Sequence, residues 1–201
     1  MLSEVEAQAW GRGWRSQKSF DFAQDERRGP GGGAKKGRRS QASKDMPLTT
    51  PHFLDAEDPA NPGWRSWTLS DPTRFNTLLG PMLYRVDGHR VRVRITPERR
   101  HSNLQDNVHG GALLGFIDVA LFAAARGFGL ITAGTAVTLD LNTQFIGGGR
   151  IGAPIEAQVE VLKETGRLLF LRGLVVQGDD EAKIAAFSAT IRKPSPKPPK
   201  G

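Results

Sequence analysis

The sequence predicts an α+β domain in which one apolar helix is wrapped by an antiparallel sheet of five or six strands. Three observations predict this fold class: a single long apolar segment at 110–126, several strand-length segments, and short turns that join them. Short hairpin connections favour antiparallel strands, and a helix this apolar needs a sheet to cover it.

The first elements lie before the apolar segment. Asp71 followed by proline is typical of a helix start, so we expect a short helix over residues 72–80. The pair Asp87-Gly88 is a strong signal for a two-residue hairpin turn. It predicts that the flanking segments 82–86 and 89–95 form two antiparallel strands.

Four further strands are expected after the helix. Their segments are rich in β-branched and apolar residues and are separated by polar or glycine-containing turns. They are 136–145, 153–162, 168–177 and 182–192. The predicted domain therefore spans residues 46–192.

The two ends of the chain hold the excess positive charge. Residues 1–45 carry ten Lys or Arg and six Asp or Glu, residues 193–201 carry three Lys and no acid, and the domain carries fifteen of each sign. Both ends are rich in Gly, Pro or basic residues, so we expect them to be disordered, with Met46 as the natural start. A balanced domain argues against nucleic-acid binding, which would have to use the tails.

Composition narrows the other classes. The chain has no cysteine, which excludes disulfides and thiolate ligands. The apolar segment is short and interrupted by glycine, so no membrane span is expected, and no signal peptide is apparent. We therefore expect a cytoplasmic protein. No His, Asp and Glu residues have metal-ligand spacing, so neither a metal nor a cofactor is expected.

Asp118 is the only ionisable residue between Gly110 and Ala125. Apolar residues occupy every side of this segment, which predicts a helix that is buried all round. Burying a carboxylate costs several kcal/mol unless it is paired or neutralised. Asp118 is therefore a candidate catalytic or ligand-binding residue. The alternative is a structural network in which it meets buried donors.

His109, Gly110 and Gly111 stand at the start of the predicted helix. Free amides at a helix start, with glycines that allow close approach, suit a carbonyl or oxyanion. His109 alone is more typical of a helix cap or a surface group. Because His109 and Asp118 are nine residues apart, about two and a half turns, they project from nearly opposite sides of the helix. A site that uses both needs two subunits, so we expect an obligate dimer.

At these residues the sequence resembles the PaaI-like (phenylacetic-acid-degradation) thioesterases of the hot-dog superfamily. The resemblance extends over residues 79–191 and rests on four elements at characteristic spacing. They are Asn103-Leu-Gln-Asp-Asn-Val-His109-Gly-Gly, Asp118, the segment Val137 to Asn142 with Phe145, and Arg150-Ile-Gly. It implies a long helix wrapped by an antiparallel sheet, paired into dimers and often tetramers.

The resemblance also implies roles for five residues in the hydrolysis of acyl-coenzyme A (acyl-CoA) thioesters. Asp118 is the catalytic carboxylate, acting as general base or nucleophile. The Gly110 N–H polarises the thioester carbonyl. Asn103 lies near the carbonyl, and His109 helps to orient the carbonyl or the leaving thiolate. Thr138 holds the attacking water. Asp118 and Thr138 of one subunit would face the other three residues of its mate.

Two departures and two alternatives accompany this interpretation. Asp106 and Ala153 replace the glycine and the acid that the family commonly has. A non-catalytic acyl-CoA sensor would use the same pocket, and a nucleic-acid-associated protein would use the basic tails. Arg126, Arg150 and Arg167 are candidates for the CoA phosphates. His101 is expected in a solvated loop.

Overall fold

The computed structural model describes residues 53–131 and 136–194. Within these residues it contains one α-helix, α1, at Gly110–Gly127 and eight strands. The strands are β1 Phe53–Glu57, β2 Arg65–Leu69, β3 Leu83–Asp87, β4 Arg90–Ile95, β5 Val137–Phe145, β6 Ile155–Glu164, β7 Leu168–Gln177 and β8 Ala182–Arg192. They form one antiparallel sheet in the order β1-β2-β3-β4-β6-β7-β8-β5.

The predicted fold class is confirmed, and the predicted strand number is wrong. The central helix and all six predicted strands are present within two residues of their expected bounds. Two strands were missed, β1 and β2, which have only five residues each and pair with one another at the β3 edge. They extend the expected five- or six-stranded sheet to eight strands.

The segment predicted as a helix over 72–80 folds differently. It contains a short 3-10 helix at Phe75–Leu79, and its N-cap is Arg74. The Asp71 carboxylate instead accepts hydrogen bonds from the backbone N–H and the hydroxyl of Thr73, at 3.0 and 2.6 Å. This local turn uses the acceptor that a helix cap would have used, so the helix begins later.

The core lies between α1 and the inner face of the sheet. Val91 and Val93 of β4 are fully buried and stand opposite Val159 and Ala157 of β6. The arginines that alternate with them on β4 point to the outer face, where Arg94 pairs with Glu156. This period of two is the pattern expected of a strand with one wet face. It leaves the inner face apolar for α1.

A carboxylate at the far edge of the sheet fastens the β1–β2 hairpin to the rest of the domain. Asp55 accepts hydrogen bonds from Arg65 Nε at 2.7 Å, the Tyr84 hydroxyl at 2.8 Å and Arg126 Nε at 3.2 Å. These donors belong to β2, β3 and the last turn of α1. One side chain therefore ties two strands and the helix to β1.

Two expectations from the sequence concern a membrane span and the two ends of the chain. By length and composition alone α1 is long and apolar enough to cross a membrane, contrary to the prediction from sequence. Half of it is buried inside the domain, and the core helix of a globular fold meets the same test. The expected disorder of residues 1–45 lies outside the described residues. So does that of 195–201, whereas Lys193 is bound to Glu164 at 2.6 Å.

Candidate active site

One face of α1 is not covered by the sheet, which corrects the prediction of a helix buried all round. Gly111 and Leu114 are exposed on this face, and Asp118 and Phe122 are partly exposed. These four residues recur every three or four positions and so lie in one stripe along the helix. Asp118 therefore lies on the open face of the core helix and is not sealed within the core.

Asp118 meets Thr138 across the interface between α1 and β5. The Thr138 hydroxyl donates a hydrogen bond to Asp118 Oδ1 at 2.6 Å. Thr138 faces inward because it stands opposite the buried Ile191 of β8, and a register shift follows directly after it. The described residues supply no hydrogen bond to Asp118 Oδ2, so one carboxylate oxygen stays available. The predicted pairing of these two residues is present.

The start of α1 is capped by His109. Its Nδ1 accepts a hydrogen bond from the Gly111 N–H at 2.9 Å, so in the neutral ring the proton lies on Nε2. No described residue accepts from the Gly110 N–H. A Cβ atom at Gly110 would lie 3.3 Å from the Phe145 ring, so glycine leaves room for this ring to pack at the helix start. The helix start thus offers a free donor at the positive end of its dipole.

Asn103 organises the loop before the helix. Its Oδ1 accepts hydrogen bonds from the backbone N–H groups of Gln105 and Asn107, at 2.9 and 3.2 Å. Its side-chain N–H₂ group has no hydrogen-bond partner among the described residues. Asn103 and His109 both line an open cleft of about 770 Å³. The structure therefore brings these two predicted residues together at the helix start.

Asp106 occupies the tip of this loop with a backbone φ of 59°. Glycine adopts this left-handed conformation without cost, which explains why the family commonly has glycine here. Asp is among the residues that tolerate it best. Its carboxylate pairs with Arg99, and both side chains are exposed. The departure from the family pattern thus preserves the turn and adds a carboxylate at the cleft mouth.

Within one chain the five predicted residues form two groups. Asn103, His109 and Gly110 lie at the start of α1, whereas Asp118 and Thr138 lie further along it. Eight residues separate Gly110 from Asp118, which at 1.5 Å per residue is about 12 Å along the helix axis. A single thioester carbonyl therefore cannot contact both groups of the same chain.

The remaining histidines serve the fold or lie at the surface. His101 is buried, contrary to the expected solvated loop. Its Nδ1 accepts from the Glu98 N–H at 2.8 Å and its Nε2 donates to the Leu78 carbonyl at 2.5 Å. His89 is exposed near Glu160, and His52 lies outside the described residues. No cluster of three metal-ligating side chains occurs in the described part of the chain.

Two of the three candidate arginines for CoA phosphates differ in position, Arg126 and Arg150. Arg126 is held by Asp55 beside Trp67, at the opposite end of α1 from His109. The backbone of Arg150 bonds to Gln177 and bridges to Asn107 in the loop before α1. Its exposed side chain makes no ion pair with any described residue. Position therefore favours Arg150 over Arg126.

Two aromatic residues at the site were not assigned a role from the sequence. Phe145 packs over Gly110, and the Phe75 ring would be 2.8 Å from a Cβ atom at Gly115. The available signal was glycine inside an otherwise apolar helix, which usually marks close packing. Such a glycine indicates that another group packs closely against the helix, but it does not identify the residue that does so.

Comparison with known proteins supports the sequence resemblance. Residues 105–184 match the family model of the Thioesterase superfamily. Among solved structures, the chain is similar to the PaaI protein of the E. coli phenylacetic acid degradation operon. The TM-score is 0.52 at 18% identity, over 61% of this chain and 86% of that one.

Two vertebrate structures give the same result. Thioesterase superfamily member 2 from Mus musculus aligns with a TM-score of 0.51 at 20% identity, over 59% of this chain and 86% of that one. The zebra fish protein of that name aligns with a TM-score of 0.50 at 21% identity, over 61% and 88%. A search of curated proteins gives no match. The hot-dog fold and the resemblance to PaaI-like thioesterases are therefore confirmed.

Proposed function

We propose that this protein is an acyl-CoA thioesterase, which hydrolyses a thioester to a carboxylic acid and coenzyme A. The observation that carries the proposal is the Asp118–Thr138 pair on the open face of α1. A hydroxyl that donates to one carboxylate oxygen leaves its own lone pairs, and the second carboxylate oxygen, free to bind a water molecule. The match of residues 105–184 to the Thioesterase superfamily supports the same chemistry.

The reaction needs a polarised carbonyl and an activated nucleophile. The thioester oxygen accepts a hydrogen bond from the Gly110 N–H, and the helix dipole favours the negative charge that develops there. Asp118 removes a proton from water, and the water oxygen forms a bond to the thioester carbon. The C–S bond then breaks, and the thiolate takes up a proton. In the alternative route Asp118 attacks the carbon itself, and water hydrolyses the resulting anhydride.

Asn103 and His109 serve the carbonyl end of this site. The free Asn103 amide can donate to the thioester, because its oxygen is already committed to the loop. The Nε2–H of His109 points away from the capping contact and can stabilise the leaving thiolate. Arg150, beside the same loop, is our preferred contact for a CoA phosphate.

We further propose that each site is shared between two subunits of a dimer, or of a tetramer built from dimers. The separation of about 12 Å between Gly110 and Asp118 supports a site that a second copy of the chain completes. Strand β5 lies at the sheet edge and exposes large apolar side chains. They are Val137, Leu139 and Phe145, with Ile146 just beyond the strand. An exposed apolar edge next to an uncovered helix face suits a two-fold interface.

The hydrolysis test uses full-length protein and a panel of acyl-CoA thioesters with a thiol-detecting reagent. We expect Asp118→Asn and Asp118→Ala to lower kcat at least 100-fold with little change in thermal stability. Asp179→Asn, the same exchange in the exposed β7–β8 turn, is the matched control and keeps full activity. Tight acyl-CoA binding without thiol release from the unaltered protein would instead assign a sensor module.

The shared site has a separate test by subunit mixing. Asp118→Asn and Gly110→Ala proteins, each expected to keep less than a tenth of the unaltered activity, are unfolded and refolded together at equal amounts. A mixed dimer then contains one doubly altered site and one intact site. Random pairing gives about a quarter of the unaltered activity. Recovery of no activity, despite mixed dimers shown by mass spectrometry, would rule out sharing.

A further inference from the structure

A second cavity lies beside the open face of α1. It has a volume of about 330 Å³ and is enclosed by the β1–β2 hairpin, the 3-10 helix and α1. Its apolar walls include Phe53, Trp67, Met82 and Val119. None of these residues belongs to the two groups described above, so this cavity has no role in the proposed hydrolysis step.

The aromatic wall of the cavity is held firmly in place. Trp67 is only 4% exposed, stacks on Phe53 at 4.3 Å between ring centroids, and meets the Tyr84 ring edge-on at 6.0 Å. Tyr84 is in turn hydrogen-bonded to Asp55. A wall fixed on both sides forms before any ligand binds, which lowers the entropic cost of filling it.

The position of the cavity relates it to Asp118. Val119 is the next residue of α1 and projects about 100° further round the helix. Viewed down the helix axis, Gly115 lies between Asp118 and Val119, about 60° from Asp118. The half-exposed Phe75 ring packs against Gly115. On the helix surface, the Phe75 ring thus lies between Asp118 and the cavity wall at Val119.

We infer that the cavity binds the acyl group of the thioester, and this inference rests on the proposed function. The lining also includes Thr68, Asn76, Thr77 and Arg100, but the Arg100 guanidinium is already paired with Glu98 at 3.1 Å, so the walls favour an apolar acyl group over a charged one. A cavity of about 150 Å³ holds benzene, so one of 330 Å³ accepts a medium-chain group such as octanoyl. The substrate class is therefore medium-chain acyl-CoA, with acetyl-CoA a poor substrate.

The test measures binding separately from hydrolysis. Thioether analogues of acetyl-, butanoyl-, hexanoyl- and octanoyl-CoA, which cannot be hydrolysed, are titrated into full-length protein by calorimetry. Burial of each methylene contributes ~0.8 kcal/mol, so we expect about fourfold tighter binding per methylene. This gradient is the signature of an apolar acyl pocket.

Two variants narrow the cavity from opposite walls. Val119→Phe fills it from the helix and Leu69→Trp from the hairpin. Each should abolish the gradient while changing the affinity of the acetyl analogue less than about twofold. Val86→Phe, at an exposed position of β3 outside the cavity, is the matched control and keeps the gradient. Thermal melting identifies any variant that does not fold, and the other narrowing variant then decides.

The outcomes separate this inference from the proposed function. A gradient that survives in a folded narrowing variant overturns the acyl pocket, whether or not thiol is released. A gradient that is lost in the narrowing variants supports the pocket even if no thioester is hydrolysed, in which case only the proposed hydrolysis fails. Absence of any gradient in the unaltered protein overturns the pocket directly.

Discussion

Replacing Asp55 tests how the β1–β2 hairpin is attached to the domain. Its carboxylate is 14% exposed and accepts hydrogen bonds from Arg65, Tyr84 and Arg126. Asp55→Asn keeps the shape but removes the charge and places an N–H₂ group against donors. We expect the free energy of unfolding to fall, because donors that now share one anion lose their acceptor.

The size of the effect follows from the exposure of the partners. Breaking a fully buried ion pair costs ~3–5 kcal/mol. Arg65 and Arg126 are 42% and 34% exposed, so water compensates for part of the loss. We therefore expect a loss of about 2 kcal/mol for Asp55→Asn, measured by urea unfolding at pH 7. Tyr84→Phe, which removes one neutral donor, should cost about 1 kcal/mol.

The penalty should also depend on pH. Burial raises the pKa of Asp55, but the hydrogen bonds from Tyr84, Arg65 and Arg126 outweigh it and lower the pKa below its usual value. A carboxyl group that is more acidic in the folded state stabilises the protein above its unfolded pKa, near ~4. This contribution is lost as the pH falls through the lower folded-state pKa.

The difference between the unaltered protein and Asp55→Asn should therefore be largest near pH 7 and shrink below about pH 4. Urea midpoints at pH 7, 5 and 3.5 measure it, with Asp179→Asn as an exposed control that shows no difference. Equal stability of the two proteins at pH 7, or a difference that stays constant with pH, would refute the role assigned to Asp55.

Three further predictions concern the site and its loop. Thr138→Val should lower kcat about tenfold or more with KM unchanged, whereas Thr138→Ser should restore it; equal rates for Val and Ser would contradict the water-binding role. Gly110→Ala should lower kcat/KM more than tenfold in the thiol-release assay, yet melt close to the unaltered protein because the exposed Phe145 ring can move. Asp106→Ala should be about 1 kcal/mol less stable than Asp106→Gly in urea unfolding, because only glycine adopts φ near 59° freely; the reverse order would contradict this reading of the loop.

Local sequence patterns were sufficient for the elements whose signals lie within a few residues. The Asp87-Gly88 pair located the β3–β4 hairpin, and the alternation of Val and Arg located β4 and its wet face. The resemblance to known thioesterases paired Asp118 with Thr138, which are twenty residues apart in sequence. The hairpin and β4 needed no information about distant segments, whereas the proximity of Asp118 and Thr138 came from the resemblance.

The features that were missed depend on contacts between distant segments. Strand β1 has no strong pattern of its own, and its place depends on the Phe53–Trp67 stack and on the bond from Asp55 to Arg126, 71 residues away. The cavity beside α1 is assembled from five separate parts of the chain. His101 looked like a loop residue because one of its two partners, the Leu78 carbonyl, lies 23 residues away and is brought to it only by tertiary packing.

The open face of α1 explains why a helix that is apolar on every side carries one acid. The sequence predicted complete burial, but the sheet of one chain covers only part of the helix, and Leu114 and Phe122 remain on the open stripe with Asp118. Apolar residues on such a face are stable when a second surface covers them. A carboxylate there costs less than one in the closed core, because it is partly exposed to solvent. The same open face thus accounts for the single acid among apolar residues, and it is the surface on which we propose that a second subunit packs.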